Sequence, residues 1–154
     1  MPELPEVETT RRGIEPHVVG HCIRALLVHE PRLRWRVAAD LPARVAGQKI
    51  RAAGRRAKFL LLELERVTLL LHLGMSGNLR VVPADAPRGK HDHIDLVLDS
   101  GELLRFNDPR RFGYMKIIAR NALEDEPLLK DLGPEPLGNE FDAAMLARSC
   151  FNKK

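Results

Sequence analysis

The sequence predicts a mainly β fold with flanking helices, an antiparallel β-sandwich preceded by one amphipathic helix and followed by short helices near the C-terminus. Three observations carry this. Apolar residues recur at helical spacing in the first eighteen positions, short leucine-rich and β-branched runs with tight turns fill the middle, and the pattern becomes helical again after Ala119.

Leu4, Val7, Ile14 and Val18 share one face of a helix from Leu4 to Val18, and Glu3, Glu6 and Glu8 crowd its first turn, where carboxylates oppose the positive end of the dipole. Pro5 fits at the helix start, where no intrahelical N–H is needed, and Pro16 with Gly20 marks its end. A stretch from Cys22 to His29 follows, then a basic turn, Arg32-Leu33-Arg34-Trp35-Arg36. Gln48 to Leu73 is strand-rich. Within it, Phe59 to Leu64 and Val67 to Leu71, linked by Glu65-Arg66, predict an antiparallel hairpin buried on both sides. Further strands are expected at Asn78 to Val82, His93 to Leu98, Glu102 to Phe106 and Tyr114 to Ala119, with Asp99-Ser100-Gly101 as a turn. Leu123 to Leu132 and Phe141 to Cys150 read as short helices around Gly133-Pro134-Glu135-Pro136-Leu137-Gly138. Residues 1–133 are thus expected to form the sandwich domain, and 134–154 the start of a linker and helix.

The length of 154 residues suits one ordinary domain, and 25 Lys and Arg against 21 Asp and Glu give a formal charge of +4, too mild to name a partner. No run of about 18 apolar residues occurs, and no basic segment leads into an apolar one at the N-terminus. A reduced, cytoplasmic protein without a membrane partner is expected. Cys22 and Cys150 are too far apart for a local metal knuckle and make no disulfide framework, so both read as small residues partly inside the fold.

Met1-Pro2 is a context in which the initiator methionine is expected to be removed, leaving a secondary amine at the head of a helix. Such an amine attacks the anomeric carbon of a sugar well, because the iminium product needs no further proton loss from nitrogen. The helix dipole lowers its pKa while Glu3 and Glu6 oppose that shift; three apart, they lie on one side of the first turn, where one can donate a proton and the other support the site. The plainer reading is that these glutamates simply stabilise the dipole. Arg51, Arg55, Arg56 and Lys58 precede the hairpin, with alternation placing Arg56 and Lys58 on one face, either as solvated charges or as a basic row. In His72-Leu73-Gly74-Met75-Ser76-Gly77 the glycines bracket a methionine that is either a wedge or folded inward. Asn107-Asp108-Pro109-Arg110-Arg111-Phe112-Gly113 is a turn with adjacent arginines and an aromatic, an odd place for Phe unless something stacks on it. His and Asp alternate in His91-Asp92-His93-Ile94-Asp95, but no further ligand stands out and no metal is expected.

Pro2-Glu3-Leu4-Pro5-Glu6-Val7-Glu8-Thr9 with Arg11-Arg12-Gly13, the block from Arg55 to Leu62, the two turns just described and Leu132-Gly133-Pro134-Glu135-Pro136-Leu137 together resemble the bacterial formamidopyrimidine-DNA glycosylases. The likeness runs over nearly the whole chain. It implies a bifunctional glycosylase and abasic-site lyase of base-excision repair that removes 8-oxoguanine and formamidopyrimidines. By that likeness Pro2 forms the Schiff base with the sugar, Glu3 is the general acid, Glu6 supports the site, and Lys58 reaches the lesion's phosphate and sugar, with β- and then δ-elimination following base release. Met75, Arg110 and Phe112 would enter the duplex, Arg110 facing the estranged cytosine, with His72 and Arg111 on the same DNA-binding turns. His91 would contact the phosphate backbone and Lys153 aligns with a backbone-binding lysine, whereas Phe151 and Asn152 fit the pattern poorly. His93 is expected as internal support, hydrogen-bonded with Asp95.

The partner implied is double-stranded DNA carrying oxidised purines or abasic sites, preferably opposite cytosine, and the complete protein is expected to be a monomer acting at the nucleoid. A complete member continues into a helix–two-turn–helix module and a four-cysteine zinc finger, so the chain is expected to be truncated, with no cofactor of its own and a structural zinc only in the further part. The alternative is a weak or inactive DNA-binding fragment of such an enzyme. A general single-strand-binding module is a third class, but leaves the nucleophile-ready N-terminus unaccounted for.

Overall fold

The computed structural model describes residues 4–119. Pro2, Glu3, Lys153, the two C-terminal helices and the segment 134–154 expected as a linker lie outside the described residues. One helix, α1 (Leu4–Val18), precedes β1 (Ile23–Val28), a short α2 (Leu41–Val45), and seven further strands. These are β2 (Ile50–Arg56), β3 (Phe59–Leu64), β4 (Val67–His72), β5 (Asn78–Pro83), β6 (Asp92–Leu98), β7 (Glu102–Asn107) and β8 (Tyr114–Ala119). They form two four-stranded sheets, ordered β1-β6-β7-β5 and β2-β3-β4-β8, in which all named pairings are antiparallel.

The helix forms where the apolar period predicts it and buries Val7, Ile14 and Val18 against β2 and β5, so that it spans the edge strands of both sheets. Pro16 falls inside the last turn instead of ending it, and Gly20, at φ +87°, makes the left-handed exit. The β3–β4 hairpin is central in its sheet. Leu60, Leu62, Leu69 and Leu71 face the inter-sheet core, while Leu61 and Leu70 on the opposite face are buried as well. Each such leucine is worth about 1.5–3 kcal/mol of burial. The five-residue α2, which the sequence pattern did not announce, plugs Leu41 and Val45 into the core beside β1.

Two expectations are corrected. Arg56 and Lys58 do not share a strand face, because Arg56 pairs with Phe59 and the chain reverses through a two-residue turn at Ala57 and Lys58, with Ala57 at φ +53°. Cys22 is buried and disulfide-bonded where a reduced thiol was expected. No helix among the described residues is long and apolar enough to cross a membrane.

Candidate nucleic-acid interface

The loops after β4 and β7 are locked together by one buried carboxylate. Asp108 is fully buried; its Oδ1 accepts from Ser76 Oγ at 2.8 Å and its Oδ2 from the Gly113 N–H at 2.7 Å. The Asp108 N–H donates to the His91 carbonyl at 3.0 Å, and His93 Nε2 donates to the Asp108 carbonyl at 2.7 Å. The Arg110 N–H reaches Ser76 Oγ at 3.2 Å. Glycine lets the backbones meet: a Cβ on Gly74 would lie 2.4 Å from the Gly113 nitrogen, and one on Gly113 would lie 2.4 Å from the His72 carbonyl oxygen. A buried acceptor satisfied this fully makes both loops one rigid body.

On that base stand side chains that the core does not take up. Met75 is 47% and Phe112 44% exposed, and the Arg110 guanidinium lies 5.9 Å from the Phe112 ring and 3.8 Å from Met75 Sδ. The methionine therefore points outward and is not folded into the core. Arg111 takes φ +59° and turns toward Glu30, at 3.8 Å.

Behind Met75 and Phe112, β3, β4 and β8 bring Phe59, His72 and Tyr114 into register. The His72 ring stacks on Tyr114 at 5.2 Å and 7°, with Phe59 at 5.2 Å and Trp35 packing on Tyr114 at 4.3 Å. A cavity of about 470 Å³ opens among Arg34, Trp35, His72, Met75, Phe112 and Tyr114. The Gly74 N–H donates to His72 Nδ1 at 3.0 Å, so the neutral ring carries its proton on Nε2. Burial pushes the His72 pKa down, the Arg34 and Lys58 charges push it further, and Asp108 opposes them only in part.

Lys58 sits on the β2–β3 turn, whose attachment to α1 runs through Glu8. The Glu8 carboxylate accepts from Arg11 Nη2 at 2.7 Å and Nε at 3.0 Å, from Arg12 Nε at 2.8 Å and from Arg55 Nε at 2.9 Å. Arg55 Nη1 then donates to the Ala57 carbonyl at 2.9 Å, beside Lys58, and Arg11 Nη1 to the Ala53 carbonyl at 3.1 Å. The Arg11 hydrogen bonds hold Glu8 down to about 2 against burial, which pulls the other way, with Arg55 and Arg12 assisting. Glu6, in the first turn of α1, is exposed.

His91 lies on the loop before β6, its ring 6.4 Å from that of His93. That loop is held by Arg105 and Asp92: Arg105 Nη1 donates to the Pro87 carbonyl at 3.0 Å and the Gly89 N–H to Asp92 Oδ2 at 2.6 Å. Burial pushes the Asp92 carboxyl up, but Asn107, the Gly89 N–H, Arg105 and Arg80 outweigh it and hold it below the usual range. Asp95 does not bond His93; it pairs with Arg105 at 2.8 Å and His29 at 3.0 Å. No three His, Cys, Asp or Glu side chains converge as a metal site among the described residues.

The structure thus gathers Met75, Arg110 and Phe112, with His72 behind them, and couples His91 to them through Asp108. Sequence reasoning missed Asp108, Ser76 and Glu8. An Asp before Pro in a turn, and Glu8 at i−3 and i−4 from Arg11 and Arg12, were the available signals.

Residues 1–115 match the family model of the formamidopyrimidine-DNA glycosylase N-terminal domain. The chain is 60% identical over 154 residues to the formamidopyrimidine-DNA glycosylase of Thioalkalivibrio sulfidiphilus, with 100% of this chain and 56% of that protein covered. It is 56% identical to that of Nitrosococcus oceani with the same coverage. Two crystal structures of Lactococcus lactis Fpg (MutM) are similar in fold at TM-score 0.78 and 36% identity. One is in complex with DNA containing Fapy-dG and covers 91% of this chain and 53% of its own; the other, noncovalently bound to DNA with an AP site, covers 91% and 54%. The chain therefore spans little more than half the length of the curated relatives it matches.

Proposed function

The chain belongs to the formamidopyrimidine-DNA glycosylase family, and from that premise we propose that it engages damaged duplex DNA and carries the nucleophilic half of a base-excision reaction. In this reading the Pro2 nitrogen, freed of Met1, bonds to the sugar C1′ of an oxidised purine nucleotide as the bond from C1′ to the base breaks. The nitrogen gives up its proton and the C1′–O4′ bond opens to the iminium, Glu3 protonating the departing base or the sugar oxygen. The Schiff base then loses the 3′ and the 5′ phosphate by successive elimination, with Lys58 at the lesion's phosphate and Glu6 supporting the site. Each proton removed from the sugar needs a base, and each departing phosphate leaves with its electron pair.

The observation that carries the DNA reading is the wedge. Met75 and Phe112 stand exposed on two loops fastened by the buried Asp108, and Arg110 lies over them. Exposed apolar side chains on a mobile loop would fold away; on a stiff base they can occupy the gap left by an extruded nucleotide. Arg110 is suited to the acceptor atoms of an estranged cytosine. His91 and Lys153 are assigned to the phosphate backbone, with Arg111 and His72 beside the wedge. Action in the cytoplasm on oxidised purines opposite cytosine belongs to the same reading, as does a zinc held outside this chain.

Borohydride trapping tests it. The protein, with loss of Met1 checked by mass, is mixed with duplexes carrying 8-oxoguanine or an abasic site opposite cytosine and reduced. The reading expects a covalent adduct that disappears when the N-terminal amine is blocked. An adduct with the abasic duplex alone would place lesion choice elsewhere, and none on either duplex at low salt would make the chain a DNA-binding domain without turnover.

A further inference from the structure

The basic turn after β1 has no part in the reading above, yet its geometry is that of a stiff finger laid against the wedge. Arg32 and Arg36 face one another in an isolated antiparallel bridge, which leaves residues 33–35 as the tip. Leu33 and Val37 are buried, and the Val37 N–H donates to the Pro31 carbonyl at 2.9 Å. The tip docks on the loop after β7 through the Arg34 N–H, which donates to the Gly113 carbonyl at 3.2 Å, and through Trp35 on Tyr114.

The cations on this face are not equivalent. Glu30 accepts from the Arg32 backbone N–H, Nε and Nη2 at 2.8, 2.9 and 3.0 Å and stands 3.8 Å from Arg111, so one carboxylate serves both arginines. Arg34 is exposed and enters no ion pair among the described residues. It lines the aromatic cavity behind the wedge and also an open groove of about 490 Å³ shared with Arg110 and Phe112. Its charge is close enough to depress the His72 pKa.

We propose that Arg34 binds a DNA phosphodiester where the duplex passes Met75 and Phe112, with the Trp35–Tyr114–His72 stack as the floor beneath it. The inference rests on the DNA-binding reading and adds a residue and a loop to it. A guanidinium offers paired N–H donors that match two phosphate oxygens, and a groove whose other walls are Arg110 and an aromatic ring suits a regularly charged backbone beside stacked bases. The docked backbone of Arg34 fixes where that charge sits, which lowers the entropy lost on binding.

The test is the salt dependence of binding. Affinity of the 154-residue chain for a duplex with a tetrahydrofuran abasic analogue opposite cytosine, and for the undamaged duplex, is followed by fluorescence anisotropy between 50 and 200 mM KCl. Arg34→Gln is expected to lower the slope of log affinity against log salt by about 0.9, so that its deficit shrinks about 3–4-fold across that range, equally for both duplexes. Arg24→Gln, a change of the same charge at the far end of β1, should leave the slope alone. A slope unchanged in Arg34→Gln while the unaltered protein binds would overturn this inference and leave the wedge reading standing. Absence of binding by the unaltered, folded protein would overturn both.

Discussion

Two regions of this domain hold functional side chains in place by opposite means. The paired loops at the ends of β4 and β7, which carry Met75 and Phe112, are fixed from inside, by a carboxylate with no exposure and by glycines that allow backbones to touch. The junction of α1 with the β2–β3 turn is fixed from outside, by three arginines around a partly exposed Glu8. The difference matches the tasks proposed for each. A side chain pushed into a stacked duplex must not yield, so its support is buried hydrogen bonding and close packing. The α1 junction with the β2–β3 turn, proposed to support the reacting amine and Lys58, is tied instead by ion pairs that solvent partly reaches.

The contrast predicts unequal damage. Gly113→Ala should be the most harmful, costing about 3 kcal/mol or more, because its Cβ meets the His72 carbonyl, the Phe106 ring and the Asp108 carboxylate. Urea denaturation midpoints measure this, and a cost under about 1 kcal/mol would mean that the two loops are not clamped. Glu8→Gln should cost on the order of 2 kcal/mol at neutral pH, after allowing for screening of a partly exposed group. The folded carboxyl at about 2 lies below its ordinary 4.5, so this contribution is fully present above 4.5 and is lost as pH falls toward 2. The stability curves of the two proteins should accordingly converge in acid, and parallel curves would rule out Glu8 as the hub.

Ser76→Ala removes one bond in each direction from the clamp and should cost about 1–2 kcal/mol while loosening Met75 and Arg110 together. The smallest expected change is a titration. The His72 imidazole should show an NMR midpoint below 6.5, since burial and two nearby cations disfavour its charged form. Because the unfolded chain takes up that proton first, His72 removes stability as pH falls through 6.5, a sign opposite to that of a paired histidine.

Legibility in the sequence follows the same division. The helix and most of the strands were readable because burial imposes period on a chain: Val7, Ile14 and Val18 at helical spacing, and leucine runs at Phe59–Leu64 and Val67–His72. The exposed members of the wedge were readable because glycines and adjacent arginines are unusual between strands. Their support was not. Asn107-Asp108-Pro109 marks a turn, but the burial of this carboxylate and its reach back to Ser76 are made by β5 and β7 lying side by side. Alternation predicts a strand face for Lys58, but β2 ends at Arg56 and the chain enters a turn in which Ala57 takes positive φ. The α2 plug escaped because five residues carry too little period to count.

The central claim is that Met75 and Phe112 form a rigid wedge that fills a gap in duplex DNA. It is tested most directly with 2-aminopurine placed beside a tetrahydrofuran lesion, whose fluorescence rises when its stacking is broken. The account predicts a rise on adding the protein and little or none with Met75→Ala/Phe112→Ala, at a stability within about 0.5 kcal/mol per exposed site of the parent. An equal rise with the double variant at saturating protein would contradict it.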